Sequence, residues 1–244
     1  MANRHNLFTG EFAFNMKKTI TSAFIKSLPV FAGYLFLGFG FGILLQKGGY
    51  GLVWALAMCV TIFGGSMQYV AVTLLTSHAS LLTVAITTLL VNARYIFYGI
   101  SMIEHYKGSG LMKPYLMFSI TDETYSILCT GECPEGVDFH KYSFCLSLFN
   151  HLYWILGGAL GVIAGTVIKI NFAGVEFAMT ALYITVILEQ WKTSKNHFSS
   201  IVGILASVLC LLVFGGDNFL IPSMILIMIA LLAGKKLTGE EVSE

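Results

Sequence analysis

Ser27-Leu-Pro-Val-Phe-Ala-Gly-Tyr-Leu-Phe-Leu-Gly-Phe-Gly-Phe-Gly-Ile-Leu-Leu-Gln46 is a stretch of twenty residues without a charge. As an α-helix, about 20 such residues cover the roughly 30 Å hydrocarbon core of a bilayer. Lys17, Lys18 and Lys26 precede it, as in a signal peptide. The apolar run is nevertheless too long for an h-region and ends in Lys47-Gly-Gly-Tyr50 without a small-x-small cleavage site. It reads as an uncleaved first spanning helix. Around it, the 244 residues are 56% hydrophobic and 11% charged, with mean hydropathy +0.78. A soluble domain carries about 25% charged residues, and so much apolar side chain cannot be buried in one soluble globule. The chain belongs in a lipid bilayer. That excludes a soluble enzyme, and a net charge of +1 offers no field for nucleic acid.

Hydropathy gives eight candidate spans: Ser27–Gln46, Leu52–Leu75, Ser80–Ile103, Leu111–Cys129, Ser143–Ile168, Ile170–Leu188, Phe198–Gly216 and Asn218–Gly234. The fourth is the weakest, because it holds Lys113, Asp122 and Glu123. With eight spans and a cytoplasmic N-terminus, nine Lys and Arg lie inside and four outside, Arg94 being in the membrane. Dropping the fourth span gives five inside and eight outside, so the positive-inside rule favours eight over seven. The expected fold is an all-α polytopic membrane protein. Residues 1–26 form a cytoplasmic tail, of which 1–16 read as polar and weakly structured. Residues 27–234 form one transmembrane domain, and 235–244 a second cytoplasmic tail.

Small residues favour close packing. Gly38 and Gly42 are four apart, as are Gly157, Gly161 and Gly165. There is also an internal echo, Asn92-x-x-Tyr95-x-x-x-Gly99 against Asn150-x-x-Tyr153-x-x-x-Gly157, and paired halves are typical of transporters. The five cysteines read as apolar packers plus a loop thiol, with no zinc spacing.

The scarce polar groups inside apolar spans are the candidates for chemistry. Arg94 costs about 2.5–3.5 kcal/mol near a helix centre. It either snorkels to the nearer interface or faces a partner or substrate. Asn92, Tyr95 and Gly99 share one helix face, with Arg94 and Tyr98 on a neighbouring stripe. Asp122 and Glu123 point about 100° apart on a helix, with Ser119, Asp122 and Ser126 on one face. A carboxylate in low dielectric can carry a proton near neutral pH, whereas one paired with Arg94 stays ionised. Alternatively, Leu111–Cys129 lies at the interface with solvated acids. Gly64-Gly65-Ser66-Met67-Gln68 interrupts the second span. It provides either a Gly-Gly contact face or a broken, even re-entrant, helix exposing backbone groups to a ligand. His151 reads as an interhelical hydrogen-bonder. No nucleophile–base pair, metal-ligand set, nucleotide loop or cofactor motif is present, so the chain reads as a non-enzyme.

Three segments in this order resemble one family. Gly64-Gly65-Ser66-Met67-Gln68-Tyr69-Val70 resembles its Gly/Ala-Gly-Ala-Ser-Gln-Phe segment, with a Met intervening. Asn92-Ala93-Arg94-Tyr95-Ile96-Phe97-Tyr98-Gly99 is similar to its Asp/Asn-x-Arg-His-x-x-Tyr-Gly segment, with Tyr95 where His is common. Ile120-Thr121-Asp122-Glu123 is similar to Leu-Thr-Asp-Glu. The chain, over roughly residues 25–235, resembles the AzlC family, the large permease subunits of branched-chain amino acid exporters. The resemblance implies an inner-membrane exporter of valine, leucine, isoleucine and methionine, with a small AzlD-type membrane subunit as partner and no cofactor. The expected transport is secondary active and proton-coupled. Arg94 or the N–H groups near Ser66 would hold the substrate carboxylate. Asp122 or Glu123 would bind the ammonium or carry the proton. The rival expectation is a non-transporting assembly or channel subunit in which Arg94 and Asp122 form only a structural pair.

Overall fold

Ala2–Lys47 forms the first helix, α1, and its length comes from the absence of any strong breaker before Pro29. Once nucleated, a helix gains one hydrogen bond per added residue. The segment 1–16, expected to be weakly structured, is therefore helical from Ala2 onward. The computed structural model describes residues 2–167 and 197–215, isolated positions at 184, 188, 191 and between 219 and 234, and side chains from Met16 onward. Every regular element among the described residues is a helix. The chain divides into two units, Met1–Met179 and Thr180–Glu244.

In the first unit α1 is followed by α2 (Leu52–Thr61), α3 (Gly65–Thr76), α4 (Leu81–Met102), a 3-10 turn at Gly110–Met112, α5 (Lys113–Phe118), α6 (Asp122–Leu128) and α7 (Phe139–Val167). Among the described residues three stretches are long and apolar enough to cross a membrane: Met16–Lys47 of α1, α4 and α7. α1 and α7 run parallel, because their contacts advance together. Phe24 meets Phe149, Ser27 meets Tyr153, and Gly38 and Gly42 meet Gly158 and Val162. The glycine stripes read from the sequence form this seam. A Cβ on Gly42 would lie 2.2 Å from Gly158 O, and one on Gly161 would lie 2.1 Å from Phe39 O. Only bare backbone fits there.

The second candidate span does not cross. α2 starts just past the C-terminal end of α1, and α3 returns to the same place, where a Cβ on Gly48 would be 2.9 Å from Thr76 Cγ2. Arms of 10 and 12 residues reach about 15 and 18 Å at 1.5 Å per residue, half a bilayer each. The turn is Ile62-Phe63-Gly64, with Phe63 in the left-handed region at φ 39°. Such backbone is costly for a bulky residue, and Phe63 is held by stacking on His151 at 4.2 Å. The re-entrant alternative is thus the observed one.

The fourth candidate span is a hairpin too, which corrects the expected count of eight crossings. Met112, Leu116 and Leu128 all pack in one cluster with Ala23 of α1, Met102 at the end of α4 and Tyr142 and Leu146 of α7. The segment therefore enters and leaves at the N-terminal end of α1. Its break follows from Ser119 and Thr121, whose hydroxyls compete with helical hydrogen bonds. Ser119 Oγ donates to Tyr115 O at 2.7 Å, and Thr121 Oγ1 caps α6 by accepting from Thr124 N at 3.3 Å. The expected single face of Ser119, Asp122 and Ser126 is broken with it. Two hairpins thus enter from opposite ends, each followed by a long helix, and α4 and α7 run in opposite directions. This is the arrangement of inverted repeats, and the Asn-x-x-Tyr-x-x-x-Gly echo falls on the two equivalent long helices.

In the second unit α8 (Phe198–Phe214) is apolar and ends at Gly215 in the left-handed region at φ 74°. The sixth and eighth expected spans, and the tail 235–244, lie largely outside the described residues.

The hairpins predict a labelling pattern. On a cysteine-free background, Gly51→Cys and His78→Cys react with an impermeant maleimide from one face, and Lys107→Cys and Glu132→Cys from the other. A crossing by residues 52–75 would put 51 and 78 on opposite faces.

Candidate functional site

The hairpin tips meet beside one cation. Phe63 and Phe118, one from each tip, have ring centroids 6.4 Å apart. Arg94, on α4, reaches both hairpins. Its Nη2 donates to Ser66 Oγ at 2.6 Å, and its Nη1 pairs with Asp122 Oδ2 at 2.6 Å. The guanidinium also lies 5.3 Å from the Tyr95 ring centroid. Arg94 is therefore paired rather than snorkelling. The Arg94 and Asp122 side chains stay 31% and 38% exposed, so the pair is open to a competing anion. Tyr98 donates to the other Asp122 oxygen at 2.8 Å and stacks on Tyr125 at 4.3 Å.

Glu123 points elsewhere, as the 100° offset between neighbours demands. Its Oε2 accepts from Tyr34 of α1 at 2.6 Å. Tyr34 O–H also lies 2.5 Å from Thr121 Oγ1. Thr121 Oγ1 in turn donates to Thr124 Oγ1 at 3.0 Å. The two acids thus have different surroundings, one facing a cation and one facing hydroxyls.

The first tip supplies donors. Gly64 ends the break with φ −130° and ψ 84°, and α3 begins at Gly65, so its first N–H groups lack intrahelical acceptors. Asn92 lies across from this tip, its Oδ1 3.9 Å from where a Gly64 Cβ would be. Gly65 has a different role, because a Cβ there would sit 3.3 Å from the Trp154 ring. Gln68 is separated from Arg94 altogether. It is fully buried, accepting from Trp154 Nε1 at 2.7 Å and donating to Cys59 Sγ at 3.7 Å. Of the expected residues, the structure brings Ser66, Arg94, Tyr98 and Asp122 into direct contact and leaves Gln68 in the core.

His151 is the interhelical hydrogen-bonder expected. Its Nε2 donates at 3.0 Å to Cys59 O, a carbonyl freed because α2 stops at Thr61, and its Nδ1 accepts from Tyr115 O–H at 3.2 Å. Tyr34, Thr124 and Asn150 are the site residues that sequence reasoning missed. Tyr34 had a signal, being the sole polar side chain between Ser27 and Gln46. Among the described residues no group of three His, Cys, Asp or Glu can hold a metal ion.

Comparisons with known proteins show the family. The model of the AzlC protein family matches residues 29–168, which contain α4, α7 and both hairpins. A Bacillus subtilis relative named branched-chain amino acid transport protein AzlC is 42% identical over 91% of this chain and 88% of its own. A Helicobacter pylori relative named only as a membrane protein is 39% identical, over 90% of this chain and 96% of its own. The Escherichia coli inner membrane protein YgaZ is 23% identical over 75% of this chain and 78% of its own. No solved structure matches the chain. With the whole hairpin-bearing region matched and a similar sequence across nine-tenths of its length, the chain belongs to the AzlC family.

Proposed function

We propose that this chain is the large subunit of a two-component secondary transporter in the bacterial inner membrane. It exports valine, leucine, isoleucine and methionine in exchange for protons, alongside a small AzlD-type subunit. The observation that carries this reading is Arg94 bridging both hairpin tips, in a chain similar to a named branched-chain amino acid transport protein. A substrate carboxylate can replace Asp122 on Arg94 and take further hydrogen bonds from the N–H groups opening α3. Aliphatic and aromatic side chains of the glycine-rich helices accept the apolar side chain.

Exchange requires that substrate and proton exclude each other, and Glu123 suits that role. One carboxylate holds an ammonium or a proton, not both. The groups that face it are Tyr34 from α1, Arg94 from α4 and its neighbour Asp122. Orientation follows from charge. Within residues 1–167, one end of the three crossing helices has Arg4, Lys17, Lys18, Lys26, Lys107, Lys113 and Lys141, and the other has Lys47. Seven to one supports a cytoplasmic N-terminus, with the end from which the second hairpin enters on the same side. The C-terminus is read as cytoplasmic as well.

Counterflow in liposomes, with and without the partner, tests the reading. Wild type is expected to exchange valine and leucine, with acidification of the loading face raising KM. Glu123→Gln is expected to lose that pH dependence and all proton-driven accumulation. Valine accumulation unaffected by a proton gradient in wild type would overturn the coupling. The direct 2.6 Å ion pair also favours a second reading, a non-transporting assembly or channel subunit stabilised by Arg94 and Asp122. A charge swap separates the two readings.

A further inference from the structure

The second hairpin sits against a buried acceptor without a donor. Asn150, on α7, is fully buried. Its Nδ2 donates to Thr124 Oγ1 at 3.0 Å, while its Oδ1 has no hydrogen-bond partner among the described residues. One turn earlier on the same helix, Ser147 Oγ is also buried and unpartnered. A buried acceptor without a donor costs about 1–3 kcal/mol. Thr124 joins Asn150 to the hydroxyl chain through Thr121 and Tyr34 that ends on the Glu123 carboxylate.

The fold gives this asparagine a counterpart. Asn92 follows the first tip residue, Gly64, by 28 positions, and Asn150 follows the second, Thr121, by 29. Both stand first in Asn-x-x-Tyr-x-x-x-Gly, both lie on the long helix after a hairpin, and both have a buried Oδ1 without a partner among the described residues. The tips differ in polarity. Arg94 and the N–H groups of α3 make the first rich in donors, whereas Glu123 and Asn150 make the second rich in acceptors. A zwitterion needs both poles.

We propose that Asn150 is the specificity-determining residue for the ammonium pole of the transported amino acid, its Oδ1 accepting one N–H beside the Glu123 carboxylate. This rests on the transport reading above. Tyr34, which now donates to Glu123, is displaced when the ammonium arrives. A proton on Glu123 satisfies one oxygen and leaves Asn150 unpartnered, whereas an ammonium satisfies both residues. Asn150 therefore biases the exchange site toward substrate over proton.

Three probes dissect the site in liposomes holding the full chain. Valine has both poles, valinamide has the ammonium without a carboxylate, and 2-hydroxyisovalerate has the carboxylate without an ammonium. Asn150→Leu is expected to weaken valine and valinamide about ten-fold, the loss of one hydrogen bond to a charged group. Inhibition by 2-hydroxyisovalerate and the pH dependence set by Glu123 stay unchanged, and Asn150→Asp retains valinamide. Should Asn150→Leu not reach the membrane, Asn150→Ser supplies the same comparison. Equal weakening of all three probes, or none, overturns the assignment. If wild type moves no amino acid, the transport reading fails separately. Thermal stabilisation of the purified chain by valinamide, lost in Asn150→Leu, then still supports the ammonium site, and its absence in wild type overturns it.

Discussion

Arg94→Ala and Asp122→Asn are each expected to lower counterflow of valine about ten- to 100-fold. The pair is part-exposed, and losing a hydrogen bond between charged groups costs about 1.5–3 kcal/mol, each 1.4 kcal/mol being tenfold. The two losses differ in kind. Arg94→Ala removes the cation that holds Ser66 and Asp122, separated by 2.6 Å contacts to each, so substrate affinity falls with turnover. Asp122→Asn leaves Arg94 available to the substrate carboxylate, so affinity holds while turnover falls. The doubly substituted Arg94→Asp, Asp122→Arg chain is expected to fold and remain inactive, because the carboxylate receptor now sits on the wrong helix. Restored counterflow in the swap would favour the purely structural pair instead. Membrane-inserted protein level and melting in detergent, measured alongside, separate a lost function from a lost fold.

Gly161→Ala and Gly42→Ala are expected to be the most destabilising glycine-to-alanine changes among the described residues. The added Cβ would lie 2.1 Å from Phe39 O in one case and 2.2 Å from Gly158 O in the other. Both neighbours are backbone, so relief requires α1 and α7 to separate. Overpacking a close-packed interior costs about 1–3 kcal/mol, and here it acts along the seam that aligns both hairpins. Gly165→Ala is expected to be mild, since its nearest atom at 3.1 Å belongs to the Gln46 side chain, which can rotate away. Gly33→Ala, with nothing within 4 Å, is the control and is expected to leave detergent melting unchanged. Equal melting of Gly161→Ala and Gly33→Ala would remove the α1–α7 seam as the source of stability.

Much of this molecule was readable before any coordinates. Composition placed the chain in a bilayer, because apolar surface in excess of what a globule can bury has nowhere else to go. The glycine spacing pointed to close helix packing without naming the partner, and Gly64-Gly65-Ser66 offered a broken helix as one of two readings, since both are local properties of the backbone. The motif residues Ser66, Arg94, Tyr98 and Asp122 stand together as their scarcity within apolar spans suggested. Direction was not readable. Hydropathy measures how apolar a segment is, and a hairpin that turns back at Thr121 is as apolar as a helix that continues. The packing of Leu116 and Leu128 into one cluster, with Lys18 Nζ donating to Glu135 O and Gly131 lying against His105, shows that the chain returns to the end it entered.

The sequence by itself determined the solvent, the helical class and the intramembrane charges, because each depends on residues close together in the chain. The tertiary structure alone decided that the two breaks face one another from opposite ends and that Arg94 spans them. It alone separated Asp122 from Glu123, by giving the second a hydroxyl from Tyr34, 89 positions away. It also moved Gln68 from the site into the core beside Trp154. Those outcomes depend on which helix ends lie together, and that is set by backbone contact at Gly42 and Gly161 and by rings meeting at the tips, which no local pattern encodes.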